Sequence, residues 1–311
     1  VKSPPHSATS DAARKLVDRF RVGRHGKIDL DDFDPHDTGG LELDRHRADA
    51  LLQDGIHQLA NLQERLYAAN RWSMLLLFQA RDAAGKDSTI RAVMSGVNPQ
   101  GCQVHSFKHP GPLALDHDFL WRHMVALPER GRIGIHNRSW YEEVLVTRVH
   151  PEILDAQKLP PSLVTKRIYD ERLEDIAAAE RYLARQGVVI LKFFLHVSRK
   201  EQKKRLLERI DDPAKNWKWS GSDLTARARW GDYQAAYETA IGTTAAAHAP
   251  WFIVPADRKW FTRLVVCAAI VQALDALDLR FPELPDAEKA GLWQARETLQ
   301  NGKAGDADSG Q

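Results

Sequence analysis

The sequence predicts an α/β fold in which a parallel sheet is sandwiched between helices, and three observations predict it. Short, mostly apolar runs recur at residues 72–78, 103–107, 133–135, 188–195 and 251–254, and runs of this kind suit strands buried on both faces. Segments with helical spacing lie between them, the alternation that crossover helices and a parallel sheet require. The first run then passes through a turn of small residues into Gly85-Lys86 and a helical pattern. In open α/β sheets, ligands bind beyond such carboxyl ends of strands.

Taken in order, residues 1–20 read as a polar loose end, and 28–43, acidic and Gly-containing, as irregular chain, so that 1–43 forms an N-terminal arm. Leu52, Ile56, Leu59, Leu62 and Leu66 recur three and four apart and give one apolar helix face before the strand at 72–78. Further helical patterns fall at 89–94, 117–127, 167–185, 200–210, 225–246 and 259–279, interleaved with the remaining apolar runs. Residues 201–222 are denser in charge and Trp than their surroundings and read as a helical hairpin standing outside the sheet. The core domain therefore spans 44–281, and 282–311 is a C-terminal extension ending, from residue 300, in a loose tail.

Composition narrows the function classes. With 311 residues, 43% hydrophobic and 28% charged, the chain has the make-up of a soluble globular protein, either two units or one large α/β domain with an appendage. Lys and Arg number 44 against 42 Asp and Glu, so no bulk basic field advertises nucleic acid, and any polyanion site must come from local clustering. The longest apolar run, 264–271, falls far short of the roughly 18 residues needed to span a bilayer. The opening residues lack a signal-peptide apolar core, and Cys102 and Cys267 are too few and too far apart for a disulfide framework or a Cys-x-x-Cys clip. These features lead us to expect a reduced, cytoplasmic protein.

The turn after the first strand is Gln79-Ala80-Arg81-Asp82-Ala83-Ala84-Gly85-Lys86-Asp87-Ser88. A strand, a turn of small residues, Gly-Lys and a helix form the context of a phosphate-binding loop: small residues let backbone N–H groups approach an anion, the helix N-terminus adds positive potential, and Lys supplies a charged donor. Ala80 stands where the strict pattern has its first Gly, and Asp87 where a Ser or Thr would touch Mg²⁺. The plain alternative is an ordinary turn with a surface lysine. Asp82 favours phosphate with a cation, because a carboxylate inside a phosphate cradle repels the ligand unless a metal bridges them.

A second polar burst, Asn137-Arg138-Ser139-Trp140-Tyr141-Glu142-Glu143, follows the strand at 133–135. Arg138 arrives beside Lys86 if the two strands are neighbours; otherwise it reads as a surface Arg paired with Glu142 or Glu143. Residues 199–209 carry six basic and two acidic side chains. Arg205 and Arg209 share one helical face, and Lys200 and Lys204 make a second such pair. Concentrated basic charge in a near-neutral protein is what a local polyanion track needs, although a solvated face explains it equally. Of the thirteen histidines, His105 and His109 have His-x-x-x-His spacing but span a strand end, so no metal is expected there, and His117, His123 and His136 read as surface or core imidazoles. No Gly-x-Ser-x-Gly elbow occurs.

Together these segments resemble the family-2 polyphosphate kinases over roughly residues 28–281. The resemblance rests on Asp82-Ala-Ala-Gly-Lys-Asp87, Val93-Met-Ser-Gly-Val-Asn-Pro-Gln-Gly-Cys102, Asn137-Arg-Ser-Trp-Tyr-Glu-Glu143, Val149-His-Pro-Glu152, Asp211-Asp-Pro-Ala-Lys-Asn-Trp-Lys218 and His248-Ala-Pro-Trp-Phe-Ile-Val-Pro-Ala-Asp257, all in order. It implies a P-loop kinase fold, similar to thymidylate kinase, with a helical lid at about 199–223. It implies transfer of a terminal phosphoryl group between inorganic polyphosphate and a nucleotide, ADP or AMP to ATP or ADP, with guanine nucleotides as further acceptors and Mg²⁺ or Mn²⁺ as cofactor. Position by position, Asp82 matches the phosphate-loop aspartate, Lys86 the loop lysine and Arg138 the arginine of the second motif, with Asp82 the expected metal ligand. Arg205 and Arg209 fall on the lid helix among phosphate-contacting residues, with Lys203 and Lys204 beside them. Ala83, Ala84, Gly85, Asp87 and Ser88 complete the loop, and Asn137 and Glu142 border the nucleotide. Asn137 stands where many members have Asp, and with Glu142-Glu143 it resembles a subgroup that accepts AMP as well as ADP. The family also implies a homo-oligomer, a dimer or tetramer, with neither nucleic acid nor membrane as partner. Two other readings use the same residues: an ATP-dependent nucleoside monophosphate kinase, and a non-catalytic polyphosphate- or nucleotide-binding regulator. Nucleic-acid binding has only the basic helix and Trp217, Trp219 and Trp230 behind it.

Overall fold

A computed structural model describes residues 14–300. The strands are β1 (Arg21–Val22), β2 (Ser73–Ala80), β3 (Cys102–Ser106), β4 (Ile133–Asn137), β5 (Val188–His196) and β6 (Trp251–Pro255). They form one sheet in the order β1-β6-β5-β2-β4-β3, parallel throughout except for β1, which pairs antiparallel with β6. The main helices are α1 (Arg45–Ala69), α2 (Lys86–Val93), α3 (Glu142–Val149), α4 (Ile168–Arg185) and α5 (Arg199–Asp211). They continue as α6 (Ser222–Ala228), α7 (Trp230–Thr244), α8 (Lys259–Asp275) and α9 (Asp286–Gln300). No helix of the described residues is long and apolar enough to cross a membrane.

Helices cover both faces of the sheet, and β2 shows why its sequence lacks polar alternation. Met74, Leu76 and Phe78 join the core made with α1, α2 and α8, while Leu75 and Leu77 join the core made with α3, α4 and α7. Every residue of β2 from Ser73 to Gln79 is buried. Register then places the site: Phe78 lies opposite Asn137, so the chain leaves β2 and β4 at the same level and from adjacent strands. The adjacency required to bring Arg138 toward Lys86 is present.

β3, expected to be buried on both faces, is an edge strand with Val104 exposed, and four expectations about other elements also differ from the structure. Residues 14–20 are no loose end: Val17 and Phe20 are buried, and Phe20 packs edge-on against Phe261; residues 1–13 and 301–311 lie outside the described residues. The arm at 28–43 is irregular but tied down. Leu30 is buried and its N–H donates to Glu238 Oε1 at 3.0 Å, Asp257 N–H donates to Pro35 O at 3.1 Å, and Gly26 N–H donates to Gly242 O at 3.1 Å. A Cβ on Gly242 would lie 2.4 Å from Gly26 O, which requires glycine there. The helix expected at 117–127 shortens to one turn, Trp121–Met124, and its late start follows from the Asp118 carboxylate, which accepts from the N–H groups of Leu120 and Trp121 as a cap does. The long helix expected at 225–246 breaks at Arg229, so the second arm of the charged hairpin is α6, joined to α5 through a 3₁₀ turn at Asn216–Lys218. The chain divides after Leu279, and residues from Arg280 onward form a second compact unit whose described helix is α9.

Candidate active site

The turn between β2 and α2 is shaped by two left-handed residues, Ala83 at φ 61° and Gly85 at φ 105°. A Cβ on Gly85 would meet Ser88 Oγ at 3.3 Å as well as adopting a strained φ, so glycine fits on both counts. Gly85 is the N-cap of α2 and offers no side-chain cap, which leaves first-turn N–H groups of an eight-residue helix to a ligand. Ser88 Oγ donates to Gly85 O at 2.9 Å and stiffens the loop from within. Lys86, half-buried, donates to Ala80 O at 3.3 Å. Its ammonium pKa lies below the usual lysine value, first through burial and second through the Arg138 cation, while Asp82, Glu142 and Asp87 oppose the shift.

Arg138 is also left-handed, at φ 68°, and its N–H donates to Phe78 O at 3.0 Å. A non-glycine residue in that region costs of order 1 kcal/mol and persists where its surroundings over-determine it. The guanidinium lies 3.6 Å from Asp82 and 3.7 Å from Glu142, too long for tight hydrogen bonds, with 40% of the side chain exposed. Glu142 raises the Arg138 pKa, and burial raises that of Glu142 itself. Glu142 is steadied by buried Gln79, whose amide donates to its Oε1 at 2.8 Å and accepts from Ser139 in the orientation that satisfies both partners. Asn137 donates to Asp87 Oδ1 at 2.7 Å and fixes that carboxylate at the start of α2. Arg138 thus pairs with Asp82 and Glu142; Glu143 turns away to Arg122 and Arg172 in a separate buried cluster.

The basic helix divides by face. Lys203 and Lys204 are exposed. Arg209 pairs with Asp223 of α6 at 3.2 Å. The Arg205 guanidinium is buried and bonded to backbone carbonyls and Glu201. Nor does α5 stand free of the core: Gln202, Arg205 and Leu206 are buried.

Sequence spacing does not reveal two further groups. Asp223 is buried beside Arg209, and its pKa is raised first by burial and then by the charge of Asp82. Arg81, inside the loop, stacks 3.8 Å over Trp230, and burial lowers its pKa to about 10. Both depend on the packing of α6 and α7, for which no local pattern exists. Among the described residues no group of three or more His, Cys, Asp or Glu converges as a metal cage. His105, His123 and His136 meet as rings instead. Asp82 is the half-exposed carboxylate at the loop, and a single carboxylate suits Mg²⁺, whose remaining ligands are commonly water and substrate phosphate.

Residues 42–282 match the family model described as Polyphosphate kinase 2 (PPK2). The chain is 47% identical over 282 residues to the ADP-polyphosphate phosphotransferase of Rhodopseudomonas palustris, covering 90% of this chain and 97% of the relative. It is 41% identical over 265 residues to the AMP/ADP-polyphosphate phosphotransferase of Meiothermus ruber, covering 85% and 95%. Among solved structures, polyphosphate kinase 2 from Arthrobacter aurescens TC1 superposes with a TM-score of 0.81 at 37% identity, over 90% of this chain and 96% of that one. With the loop, the sheet order and these matches in agreement, the chain belongs to the polyphosphate kinase 2 family.

Proposed function

We propose that this protein transfers the terminal phosphoryl group of inorganic polyphosphate to ADP and to AMP, reversibly, with Mg²⁺ or Mn²⁺. The carrying observation is the loose placement of Arg138 between Asp82 and Glu142, beside Lys86 at an uncapped helix start. A cation so weakly paired is free to turn to a phosphate. The names of the relatives, which include ADP and AMP/ADP acceptors, support the substrate class.

The acceptor oxygen of a nucleotide phosphate is already ionised at neutral pH, so the reaction needs no general base. Its difficulty is repulsion between two polyanions brought in line. Backbone N–H groups of the 83–88 loop hold the phosphates, Lys86 places its charge at the transferring group, and Arg138 leaves its carboxylate partners for a phosphate oxygen. Exposed Lys203 and Lys204, with Arg209, form a basic track for the chain of the donor. Asn137 and Glu142 border the acceptor, Asn137 fixing Asp87 and Glu142 pairing loosely with Arg138. Asp82 would hold the divalent ion together with phosphate oxygens and water, and the ion when bound neutralises phosphate charge. Segment 207–223 acts as the lid, and the enzyme works as a cytoplasmic homo-oligomer.

The test is luciferase-detected ATP from ADP, polyphosphate and Mg²⁺, with no ATP supplied and adenylate kinase activity blocked. ATP formation is expected, with AMP and guanine nucleotides then tried as acceptors. Absence of ATP, together with ATP-driven phosphorylation of a nucleoside monophosphate, would overturn the donor.

A further inference from the structure

The carbonyls of the phosphate loop have partners on α5. Gln202 Nε2 donates to Asp82 O at 3.1 Å. One turn later, Arg205 Nη1 donates to Ala83 O at 3.2 Å and to Ala84 O at 2.8 Å. Arg205 Nη2 donates to Ala256 O at 2.8 Å and Asp257 O at 3.0 Å, just past β6, and Nε donates to Glu201 Oε1 at 2.9 Å. The five N–H groups of the guanidinium are matched by these five acceptors. Three successive loop carbonyls are thereby drawn to the helix. Peptide planes are rigid, so holding the Asp82 and Ala84 carbonyls on one side directs the N–H groups of Ala83 and Gly85 toward the other, where an anion would lie, while the Ala84 N–H closes the turn onto Arg81 O. Gln202 is itself oriented from α6, since its Oε1 accepts from Arg227 Nη1 at 2.8 Å.

We infer that Gln202 and Arg205 are positioning residues that staple the phosphate loop, from the lid side, into its anion-binding shape. Arg205 acts through the loop backbone and not by touching phosphate. The arrangement assigns the first two turns of α5, through Leu206, to the core, and leaves the segment beyond it to move. Lysine cannot replace the arginine, because an ammonium has three donors at one point where four carbonyls on two segments need a planar fork. The inference builds on the phosphate role proposed for the loop, but its decisive measurement uses no substrate, so it can fail or hold independently of that reading.

The experiment is hydrogen exchange of the ligand-free full chain, wild type against Arg205→Ala, read at the loop amide of Ala84 and the first-turn amide of Thr89 in α2, which are bonded to Arg81 O and Gly85 O. Exchange at these amides is expected to quicken at least about tenfold, as charge-assisted bonds to the loop are lost, with β2 and β5 unchanged. Gln202→Ala should give a smaller effect in the same peptide, and Arg209→Ala none. In turnover, Arg205→Ala should lower kcat equally for short and long polyphosphate. If Arg205→Ala does not fold, Arg205→Lys and Gln202→Ala carry the same readout. Unchanged loop exchange in a folded variant, a KM that rises with polyphosphate length, or acceleration spread evenly over the sheet would each overturn the staple.

Discussion

Two clusters of opposite charges in this protein are built to different standards. Lys192 and Glu180 form a 2.6 Å ion pair, both sealed from solvent, and their remaining capacity is met. Lys192 also donates to Tyr141 Oη and Thr244 O, and Glu180 Oε1 accepts from Trp140 Nε1 and Tyr141 Oη. Arg138, Asp82, Glu142 and Lys86 are half-open, and the Arg138 pairs measure 3.6 and 3.7 Å. The first cluster has nothing left to offer a ligand, and the second has little else to do. Tight, fully satisfied charge marks the fold; loose charge on strained backbone marks the site. The two are close in sequence, since Trp140 and Tyr141 directly follow the Arg138-Ser139 turn and anchor it to the buried pair.

The largest expected effect breaks the sealed cluster. Lys192→Met leaves Glu180 uncompensated in the core and should cost about 3–5 kcal/mol of stability. Denaturant midpoints check this, and kcat of the folded enzyme should stay near wild type. A loss of kcat with stability intact would place the pair in the site and dissolve the contrast.

Buried imidazoles sharpen the same point with pH. Burial lowers the pKa of His123 to about 2 and of His136 and His196 to about 4. The unfolded chain takes up protons near pH 6.5, whereas the folded chain does not, so stability is intact above that pH and falls as pH drops below it. At pH 5 each histidine should cost about 2 kcal/mol relative to pH 8. His123→Phe, which removes one of these groups from an aromatic cluster with Phe107 and Trp140, should flatten the pH dependence of unfolding by that amount. An equally steep profile in the variant would contradict the assignment.

In the loose cluster the expected effect is kinetic. Lys86→Ala should lower kcat at least about tenfold, roughly 1.4 kcal/mol of barrier, while Tm stays close to wild type. Near-wild-type turnover in the luciferase assay would remove Lys86 from the chemistry.

The contrast also explains what could be read from the sequence. The inner strands were legible because burial on both faces leaves an apolar run, and Asp82, Lys86 and Arg138 because they sit where such runs end. β1, with two residues, has no periodicity to detect, and its pairing depends wholly on β6. The N-terminal arm carries no pattern because Leu30, and Gly26 just before the 28–43 stretch, gain their partners from α7, more than 200 residues away. The break at Arg229 has no Pro and only Gly231, two residues on, to announce it. Helical spacing puts Arg205 and Arg209 on one face, yet cannot tell a carbonyl partner from a phosphate.

The smallest expected effect separates the two halves of the lid region. Residues 199–206 are held by carbonyls of the loop and of β6's end, whereas beyond them Leu207, Ile210 and Trp217 are exposed. Adding polyphosphate and nucleotide should therefore slow hydrogen exchange several-fold across 207–223, where closure can bury new surface, and leave 199–206 almost unaffected. Uniform slowing from residue 199 would mean that the whole helix moves and that its bonds to the loop form only on closure. No slowing at 207–223 would mean that the polymer enters a site already shut, leaving the exposed apolar residues of this segment without a part in the reaction.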